Sequence, residues 1–388
     1  MSDELPTIWE GSAHTFAKHQ IIEAYLKAWM PIMSRQSKRL NISENRLLFV
    51  DGFAGPGIYA GGEQGSPLRA LNLVLTHSHQ FNVPVSFLFI EQDKKRCETL
   101  ERQIKQLQEQ MHLSSRIKDV IIKQGDCETI LNKYLDDLCE AGKKVGPAFF
   151  FLDQFGYSDI PLVLIQKIMK QPQCEVFSYL NWDRMNQFIT DETKWYAISN
   201  AFGGDEWKHS LNLPVNKKSN FILDTYKTAL QKKAGAKHIW HFAMCDGDDK
   251  LIYWLFFCTN KLRGLEEMKK AMWKVDQTGG FRFSDKYNVS QLNLFKNYTE
   301  EMLMQELISN FKGKEILLSE VNEFVLTETP ACLYKNALCI LEKQGSLSVT
   351  HSPAGRKKGS FPEKYANSIH IKFSSNPISY PAKDLFPS

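Results

Sequence analysis

Short apolar runs alternate with polar, helix-forming segments through the first two-thirds of the chain. Segment 21–33 has apolar residues at helical spacing. Segment 94–111 is rich in charged residues, has Leu and Ile at intervals, and contains no Gly or Pro. Between and after such segments, the chain is apolar almost throughout in five runs, at residues 47–51, 85–91, 120–123, 148–153 and 174–180. Continuous apolar runs separated by helices predict a parallel β-sheet that is buried on both faces.

A pair of β-rich segments follows the five predicted strands. Residues 238–245 and 251–258 are joined by Asp246-Gly247-Asp248-Asp249, and Asp-Gly is typical of tight hairpin turns. Five parallel strands and a closing antiparallel hairpin are typical of Rossmann-like methyltransferases, whereas dinucleotide-binding dehydrogenases usually lack the hairpin. We therefore predict an α/β fold with a mostly parallel class I methyltransferase sheet of seven strands. A helical insertion is expected at about residues 183–236.

The pattern changes after about residue 290. Three segments with helical spacing and two β-rich segments follow, at residues 300–310, 317–325, 331–342, 345–350 and 368–373. Three helices and a two-stranded wing predict a winged helix, which is a variant of the helix-turn-helix motif. We expect a methyltransferase-type domain over 1–290, a winged-helix-like α+β domain over 291–375, and a loose Pro- and Ser-rich tail over 376–388.

Composition narrows the class of protein only slightly. The 388 residues contain 43% hydrophobic and 24% charged residues, as globular proteins do, and the net charge of +4 permits an anionic partner without requiring one. The eight cysteines never form Cys-x-x-Cys, so we expect reduced thiols and no metal site. The acidic N-terminus lacks the apolar region of a signal peptide, and no apolar run approaches the ~20 residues of a membrane span. These features predict a cytoplasmic protein without membrane contact.

The main chemical signal is Asp51-Gly52-Phe53-Ala54-Gly55-Pro56-Gly57, directly after the first predicted strand. Glycines at the carboxyl end of a parallel strand let the backbone approach a ligand closely. The spacing is neither G-x-G-x-x-G nor a Walker motif. A tight strand-to-helix connection alone would also explain the glycines. An acid at the start of the loop, however, can bind the ammonium group of an amino-acid-like cofactor.

Two further acids follow the second and third predicted strands. Glu91 lies at the switch point of the sheet, where a carboxylate can accept both hydroxyls of a ribose. Asp126 follows the third strand and can accept a hydrogen bond from an adenine amine; a turn residue would look the same. With Asp51, three acids at the ends of three consecutive strands predict a site for S-adenosylmethionine. Its expected ligands are Asp51, Phe53, Ala54, Gly55, Gly57, Glu91 and Asp126.

The fourth strand ends in Asp153-Gln154-Phe155-Gly156-Tyr157, where an acceptor would meet the methyl group. Methyl transfer is an in-line displacement at carbon, so the enzyme must chiefly align the acceptor and handle its proton. Asp153 is the candidate to orient or deprotonate an amine. The alternative is a strand-end acid that caps the next helix.

Several motifs together resemble the three-Cys-motif partner family of prokaryotes, and the resemblance covers nearly the whole chain. The motifs are Phe16-Ala17-Lys18-His19-Gln20-Ile21-Ile22 with Tyr25-Leu26, the loop from Asp51 to Tyr59, Gly65-Ser66-Pro67, Phe89-Ile90-Glu91 and Leu152-Asp153-Gln154-Phe155-Gly156. This resemblance implies a methyltransferase-type fold and a functional link to a separate protein that carries a three-cysteine motif. It does not imply a substrate.

A more distant resemblance concerns ribosomal RNA adenine-N6 methyltransferases. By that match Lys18 contacts the carboxylate of the cofactor, and Asp153 holds the target amine. The family has Asp-Pro-Pro-Tyr at this strand, whereas this chain has Asp-Gln-Phe-Gly. The backbone carbonyl of Gln154 can still accept from an amine, and base stacking would fall to Phe155 or Tyr157. Alternatively, Lys18 and its neighbour His19 are solvated residues on a helix.

The sequence therefore supports a leading hypothesis and two rivals. The leading one is a methyltransferase that uses S-adenosylmethionine to modify a nucleobase amine in RNA or DNA, with phosphate contacts from Arg356, Lys357 and Lys358 in the predicted wing. The first rival is a non-catalytic accessory of the three-cysteine protein, binding nucleic acid or protein. The second, an NAD-dependent enzyme, disagrees with the hairpin and with the glycine spacing.

Overall fold

The computed structural model describes residues 7–37, 45–111, 115–154, 156, 158–276, 281–284 and 298–376, with the side chains of residues 110 and 111 excepted. The chain divides into two compact units. One comprises Met1–Val275 with Phe281–Gln291, and the other comprises Asp276–Gly280 with Leu292–Ser388. Within the described ranges, no helix is both long enough and apolar enough to cross a membrane.

One sheet forms the centre of the first unit. Its strands are β1 Leu47–Asp51, β2 Val85–Glu91, β3 Ile117–Gln124, β4 Ala148–Leu152, β5 Cys174–Leu180, β6 His238–Cys245, β7 Leu251–Thr259 and β8 Arg282–Ser284. They lie in the order β3-β2-β1-β4-β5-β7-β6-β8. Strand β7 runs antiparallel to β5 and β6, whereas the other neighbours are parallel. This is the order of a class I methyltransferase sheet, which confirms the predicted α/β fold. The short edge strand β8 was not predicted.

Burial along the strands follows their place in the sheet. Every residue of β1, β2, β4 and β5 is buried, as their continuous apolar sequences predict. Strand β3 was expected to be buried on both faces, and this was wrong, since it alternates between partly buried and exposed residues and leaves Ile121 44% exposed. The reason is its position at the sheet edge, where only one neighbouring strand covers it.

Helices cover the sheet. They are α1 Ala13–Ser37, α2 Ser66–Thr76, α3 Lys94–Met111, α4 Cys127–Glu140, α5 Leu162–Met169, α6 Trp182–Phe188, α7 Trp195–Phe202, α8 Val215–Lys232 and α9 Leu262–Val275. The first of these packs against α9 and α2. The predicted helical insertion corresponds to α6, α7 and α8 with two short 3₁₀ segments, and its Phe202, Trp207 and Tyr226 join the same apolar core as the sheet.

The second unit has its own core. Its elements, in chain order, are α10 Glu300–Phe311, β9 Glu315–Leu317, α11 Leu318–Glu328, α12 Lys335–Lys343, β10 Leu347–His351, a 3₁₀ segment Glu363–Tyr365 and β11 His370–Phe373. The strands form an antiparallel sheet in the order β10-β11-β9. This sheet has one strand, β9, more than the two that were predicted. Assignment of this unit to the winged-helix class stays a prediction.

The loop between β10 and β11 is anchored by a buried ion pair. Arg356 donates from Nη1 and Nη2 to the two carboxylate oxygens of Glu342 at 3.0 and 2.9 Å, and the Gly359 amide donates to the same carboxylate at 2.7 Å. Burial acts to raise the pKa of Glu342, but these hydrogen bonds outweigh it and lower the pKa. The predicted phosphate contact of Arg356 thus needs correction, because its guanidinium already holds the loop. Lys357 and Lys358 are exposed.

Replacement of Arg356 should loosen this loop. In an Arg356→Ala variant, the buried Glu342 carboxylate loses two donors, which costs about 1–3 kcal/mol. We expect faster hydrogen exchange of the amides in α12, which carries Glu342, with little change in α3. Lys357→Ala, which removes an exposed neighbouring charge, is the control. Equal exchange in the two variants would contradict the anchoring role.

Candidate active site

The loop after β1 folds tightly back on itself through its glycines. Gly55 and Gly57 have φ of +63° and +77°, in the left-handed region that favours glycine. A Cβ at Gly57 would lie 2.7 Å from Cδ1 of Leu100, and the Gly65 amide donates to the Gly57 carbonyl at 2.8 Å. These contacts explain why the sequence has glycine at both ends of Gly55-Pro56-Gly57.

Glu91, at the end of β2, holds this loop in place. Its Oε2 accepts from the Gly55 amide at 2.9 Å, and its Oε1 accepts from the Asp93 amide at 2.8 Å. The Ala54 amide donates to the Ile90 carbonyl at 2.9 Å, which adds a backbone link between loop and strand. Each carboxylate oxygen can accept a further bond, so the predicted ribose contact remains chemically possible alongside these.

Asp51 is fully buried at the start of the loop. Its Oδ1 accepts from the Phe53 amide at 3.1 Å, whereas its Oδ2 has no hydrogen-bond partner in the part of the chain that the structure describes. Burial raises the pKa of Asp51 to about 7, and the Ser66 hydroxyl and the Phe53 amide act in the opposite direction. An acceptor atom buried without a partner is costly, and a bound ammonium group would relieve that cost.

Lys18 pairs with Asp153. The ammonium of Lys18, on α1, donates to Oδ2 of Asp153, which follows β4, and only 9% of the lysine side chain is exposed. The neighbouring His19 is 2% exposed, and its Nδ1 has no partner among the described residues. Burial, Lys18 and Arg69 lower the pKa of His19 well below its ordinary value, so the imidazole is neutral. The alternative that Lys18 and His19 are solvated was therefore wrong.

A cavity of about 80 Å³ lies beside the glycine loop; Asp51 and Glu91 do not line it. The residues predicted from the sequence that line it are Lys18, Phe53, Ala54, Gly55, Gly57 and Asp153. Trp9, Thr15, His19, Tyr59 and Ser66 also line it and were not predicted as ligands. The structure thus brings together predicted residues from α1, from the loop after β1 and from the end of β4.

Trp9 is the most conspicuous of the residues that sequence reasoning missed. Its ring lies over the loop, with Cη2 3.4 Å from the Cβ position of Gly55, and the Arg96 guanidinium lies 4.8 Å from the ring centre. The Ala60 amide donates to the Trp9 carbonyl at 2.9 Å. Nothing in the local pattern marks Trp9, because it precedes the first helix. With Trp9 in this place, the cavity is smaller than the ~300–1,000 Å³ of typical small-molecule sites.

Other predicted site residues have structural contacts. Gln154, which is 3% exposed, donates to the Tyr179 carbonyl at 2.9 Å and accepts from the Asp159 and Ile160 amides at 2.8 and 3.0 Å. Its side chain therefore positions the loop after β4 and is not free to react. Asp126 caps the first turn of α4 by accepting from the Thr129 amide at 2.8 Å, and it does not line the cavity. Phe155 and Tyr157 lie outside the described residues.

Histidine and cysteine placement gives no sign of a metal centre. Within the described ranges, no group of three or more His, Cys, Asp or Glu side chains could hold a metal ion. His14 and His77 are buried, and they hydrogen bond to the carbonyls of Cys245 and Lys27. The eight cysteines are free, and five of them are buried.

Comparison with known proteins adds little beyond the fold. No family model matches the sequence. No curated protein matches it significantly. A solved structure of precorrin-6y C5,15-methyltransferase from Geobacter metallireducens GS-15 is similar at 11% identity and a TM-score of 0.28, over 66% of this chain and 100% of that chain. A DUF574 family protein from Streptomyces avermitilis MA-4680 is similar at 8% identity and a TM-score of 0.24, over 61% and 83%.

Similarities as low as these do not bear on activity. The class of fold comes instead from the strand order, the glycine loop and the acids at the strand ends, which together define an α/β protein with a class I methyltransferase sheet. Membership of the three-Cys-motif partner family stays a prediction from the motifs.

The raised pKa of Asp51 has a measurable effect on stability. Because the folded-state pKa is about 7 and the ordinary value is 3.8, the fold favours the protonated carboxyl group. Its contribution to stability is complete below pH ~4 and is lost as the pH rises through about 7. The unaltered chain should therefore lose stability relative to Asp51→Asn over this range. Unfolding midpoints of both proteins at acidic and alkaline pH measure the difference, and a constant difference would contradict the assignment.

Proposed function

We propose that the chain is an S-adenosylmethionine-dependent methyltransferase that acts on an amine of a nucleobase in RNA or DNA, together with a separate three-cysteine-motif protein. The observation that carries the proposal is the ion pair of Lys18 and Asp153 in the wall of the cavity beside the glycine loop, with the buried Asp51 carboxyl near enough for both charges to act on its pKa. They meet at the carboxyl ends of β1 and β4, and ligands of open α/β sheets bind at the carboxyl ends of the strands.

The residues present suit the amino-acid part of the cofactor. The partnerless Oδ2 of Asp51 is an acceptor for an α-ammonium group, and Lys18 is a cation that can bind an α-carboxylate. Glu91 and Asp126 would bind the ribose hydroxyls and the adenine amine, as their strand-end positions suggest. When bound, the cofactor supplies an electrophilic methyl group on a positively charged sulfur. Room for its nucleoside part requires Trp9 to move, because that ring covers the loop.

Asp153 is the candidate for handling the acceptor. Its carboxylate would accept a hydrogen bond from the N–H of the amine and receive the proton that the amine loses on methylation. The ion pair with Lys18 fixes the orientation of this carboxylate. Gln154 supports the arrangement by tying the following loop to the Tyr179 carbonyl at the end of β5.

The acceptor class is supported by the second unit. Lys357 and Lys358 are exposed on the loop between β10 and β11, which Arg356 and Glu342 hold firmly, so both ammonium groups can reach phosphates. The three-cysteine partner is supported by the motif resemblance alone.

A second function is favoured by one specific feature. Where adenine-N6 methyltransferases have Asp-Pro-Pro-Tyr, this chain has a glutamine whose side chain is fully engaged in holding the loop. A non-catalytic accessory that binds nucleic acid or protein would need only the fold. It would not need a buried carboxyl at Asp51 whose Oδ2 has no hydrogen-bond partner among the described residues, and for this reason we place it second.

Cofactor binding is the first test. Calorimetric titration of the full chain with S-adenosylmethionine and S-adenosylhomocysteine should show binding in the micromolar range, with none for NAD. Asp51→Ala should weaken both by at least about tenfold, because a hydrogen bond to a charged group is lost. Glu63→Ala, an exposed acid of the same loop, should leave binding unchanged. Failure of the unaltered chain to bind either compound would overturn the cofactor assignment.

Methyl transfer is the second test. Radiolabelled S-adenosylmethionine should transfer label to unmodified RNA or DNA, and Asp153→Ala should reduce transfer by about 10²-fold or more. Cofactor affinity should change little. Asp136→Ala, which breaks an exposed aspartate–lysine pair with Lys167, is the matched control. Full activity of Asp153→Ala would refute the role of Asp153, and cofactor binding without transfer to either nucleic acid would favour the accessory function.

A further inference from the structure

A second cavity lies at the other end of the sheet. It has a volume of about 240 Å³ and is bounded by the second half of α1, the start of β5 and the start of α9. Strand β5 begins at Cys174, so Glu175 faces this cavity from the amino end of the sheet, whereas Asp51 and Asp153 lie at the carboxyl ends of their strands. The cavity is thus separate from the candidate active site.

Glu175 places a carboxylate in its wall. The residue is 3% exposed, its Oε2 accepts from the Tyr25 hydroxyl, and its Oε1 accepts from the Thr259 hydroxyl at 2.7 Å. The Lys261 amide donates to that threonine oxygen at 3.1 Å, which leaves the hydroxyl hydrogen for Glu175. Two donors, one to each oxygen, favour the ionised carboxylate.

The charge of this carboxylate has no counterpart in the part of the protein that the structure describes. Arg263, near the cavity, is paired with Glu266 and Glu267 at 2.8 Å each. Lys261 is exposed at the mouth, and no salt bridge joins it to Glu175. A buried negative charge without a cation is costly, and burial raises the pKa of Glu175 to about 7, with Tyr25, Thr259 and Trp29 acting against it.

The rest of the wall is aromatic and apolar, with a close backbone approach. Trp29 and Tyr25 line the cavity beside the carboxylate, and Met33 adds an apolar surface. On the α9 side the wall is Gly264, where a Cβ would lie only 2.2 Å from Oε1 of Glu175. Any other residue at position 264 would therefore collide with the acid, and glycine avoids this collision.

We propose that this cavity binds a small organic amine, with the ammonium group paired to Glu175 and the carbon chain lying against Trp29 and Met33. An ammonium group supplies the missing charge, and aromatic rings attract cations through their faces. An anionic ligand would be repelled by the Glu175 carboxylate. A neutral ligand would leave that charge uncompensated.

The test uses n-pentylammonium as probe and 1-pentanol as its neutral counterpart. Ligand-observed NMR on the full chain should show saturable binding of the amine, at least about tenfold tighter than that of the alcohol. Glu175→Gln should weaken binding of the amine by at least about tenfold, whereas Glu63→Gln, the same change at an exposed acid outside the cavity, should leave it unchanged. Equal binding of amine and alcohol, equal binding to Glu175→Gln, or no saturable binding would each overturn the proposal.

A pH series on the unaltered chain tests the same proposal without a variant. The groups that face Glu175 are the Tyr25 and Thr259 hydroxyls and the Trp29 ring, with Lys261, Arg263 and Glu267 around the cavity. As the pH rises through about 7 and Glu175 loses its proton, the affinity for n-pentylammonium should increase. A flat profile would contradict pairing with this carboxylate, even if Glu175→Gln failed to fold.

Discussion

The hydrogen bond from the Gly55 amide to Glu91 is the constraint on which the candidate active site depends. It joins the loop after β1 to the end of the neighbouring strand, and it is possible because Gly55 and Gly57 adopt left-handed backbone conformations. With the loop folded in this way, Asp51 is fully buried at its start. Lys18 and Asp153 then meet at its edge. A side chain at Gly57 would collide with Leu100 and disturb all of these contacts.

Each end of the sheet carries a buried acid with no cation within direct pairing distance among the residues that the structure describes. Asp51 at the carboxyl end and Glu175 at the amino end each have a pKa of about 7, in both cases because burial disfavours the charged form. An acid in such surroundings is destabilising unless a positively charged group arrives from outside. This shared property is the physical reason for proposing an ammonium group at each site: the amino-acid part of a cofactor at one and a simple amine at the other.

The side chain of Trp9 covers part of the candidate active site. Trp9 lies over the loop between the Arg96 guanidinium and the Tyr59 ring. Under the proposed function, cofactor entry would require this indole to move. In the second unit, the Arg356–Glu342 pair has the opposite effect, because it immobilises a loop and leaves the neighbouring lysines exposed.

The sequence by itself determined the elements and their class. Strands β2 and β5 and helix α3 begin and end where the apolar and polar patterns predicted, since that periodicity is a local property of the chain. The strand-end acids Asp51, Glu91 and Asp153 could be placed for the same reason, as residues that follow buried runs. The exposure of β3 could not be predicted, because a strand's neighbours depend on the order of the whole sheet.

Only the tertiary structure decided what each polar side chain contacts. Lys18 and Asp153 pair across 135 positions in sequence, and Trp9 covers a loop that begins 42 residues later, at Asp51. Glu175 meets Tyr25 and Thr259 from distant segments. From the sequence, Gln154 is predicted to take part in catalysis and Arg356 to contact phosphates. In the structure, both side chains hold loops in place through buried hydrogen bonds. Local sequence sets burial and secondary structure, whereas the charge and hydrogen-bond partners of a buried group come from residues that only folding brings near it.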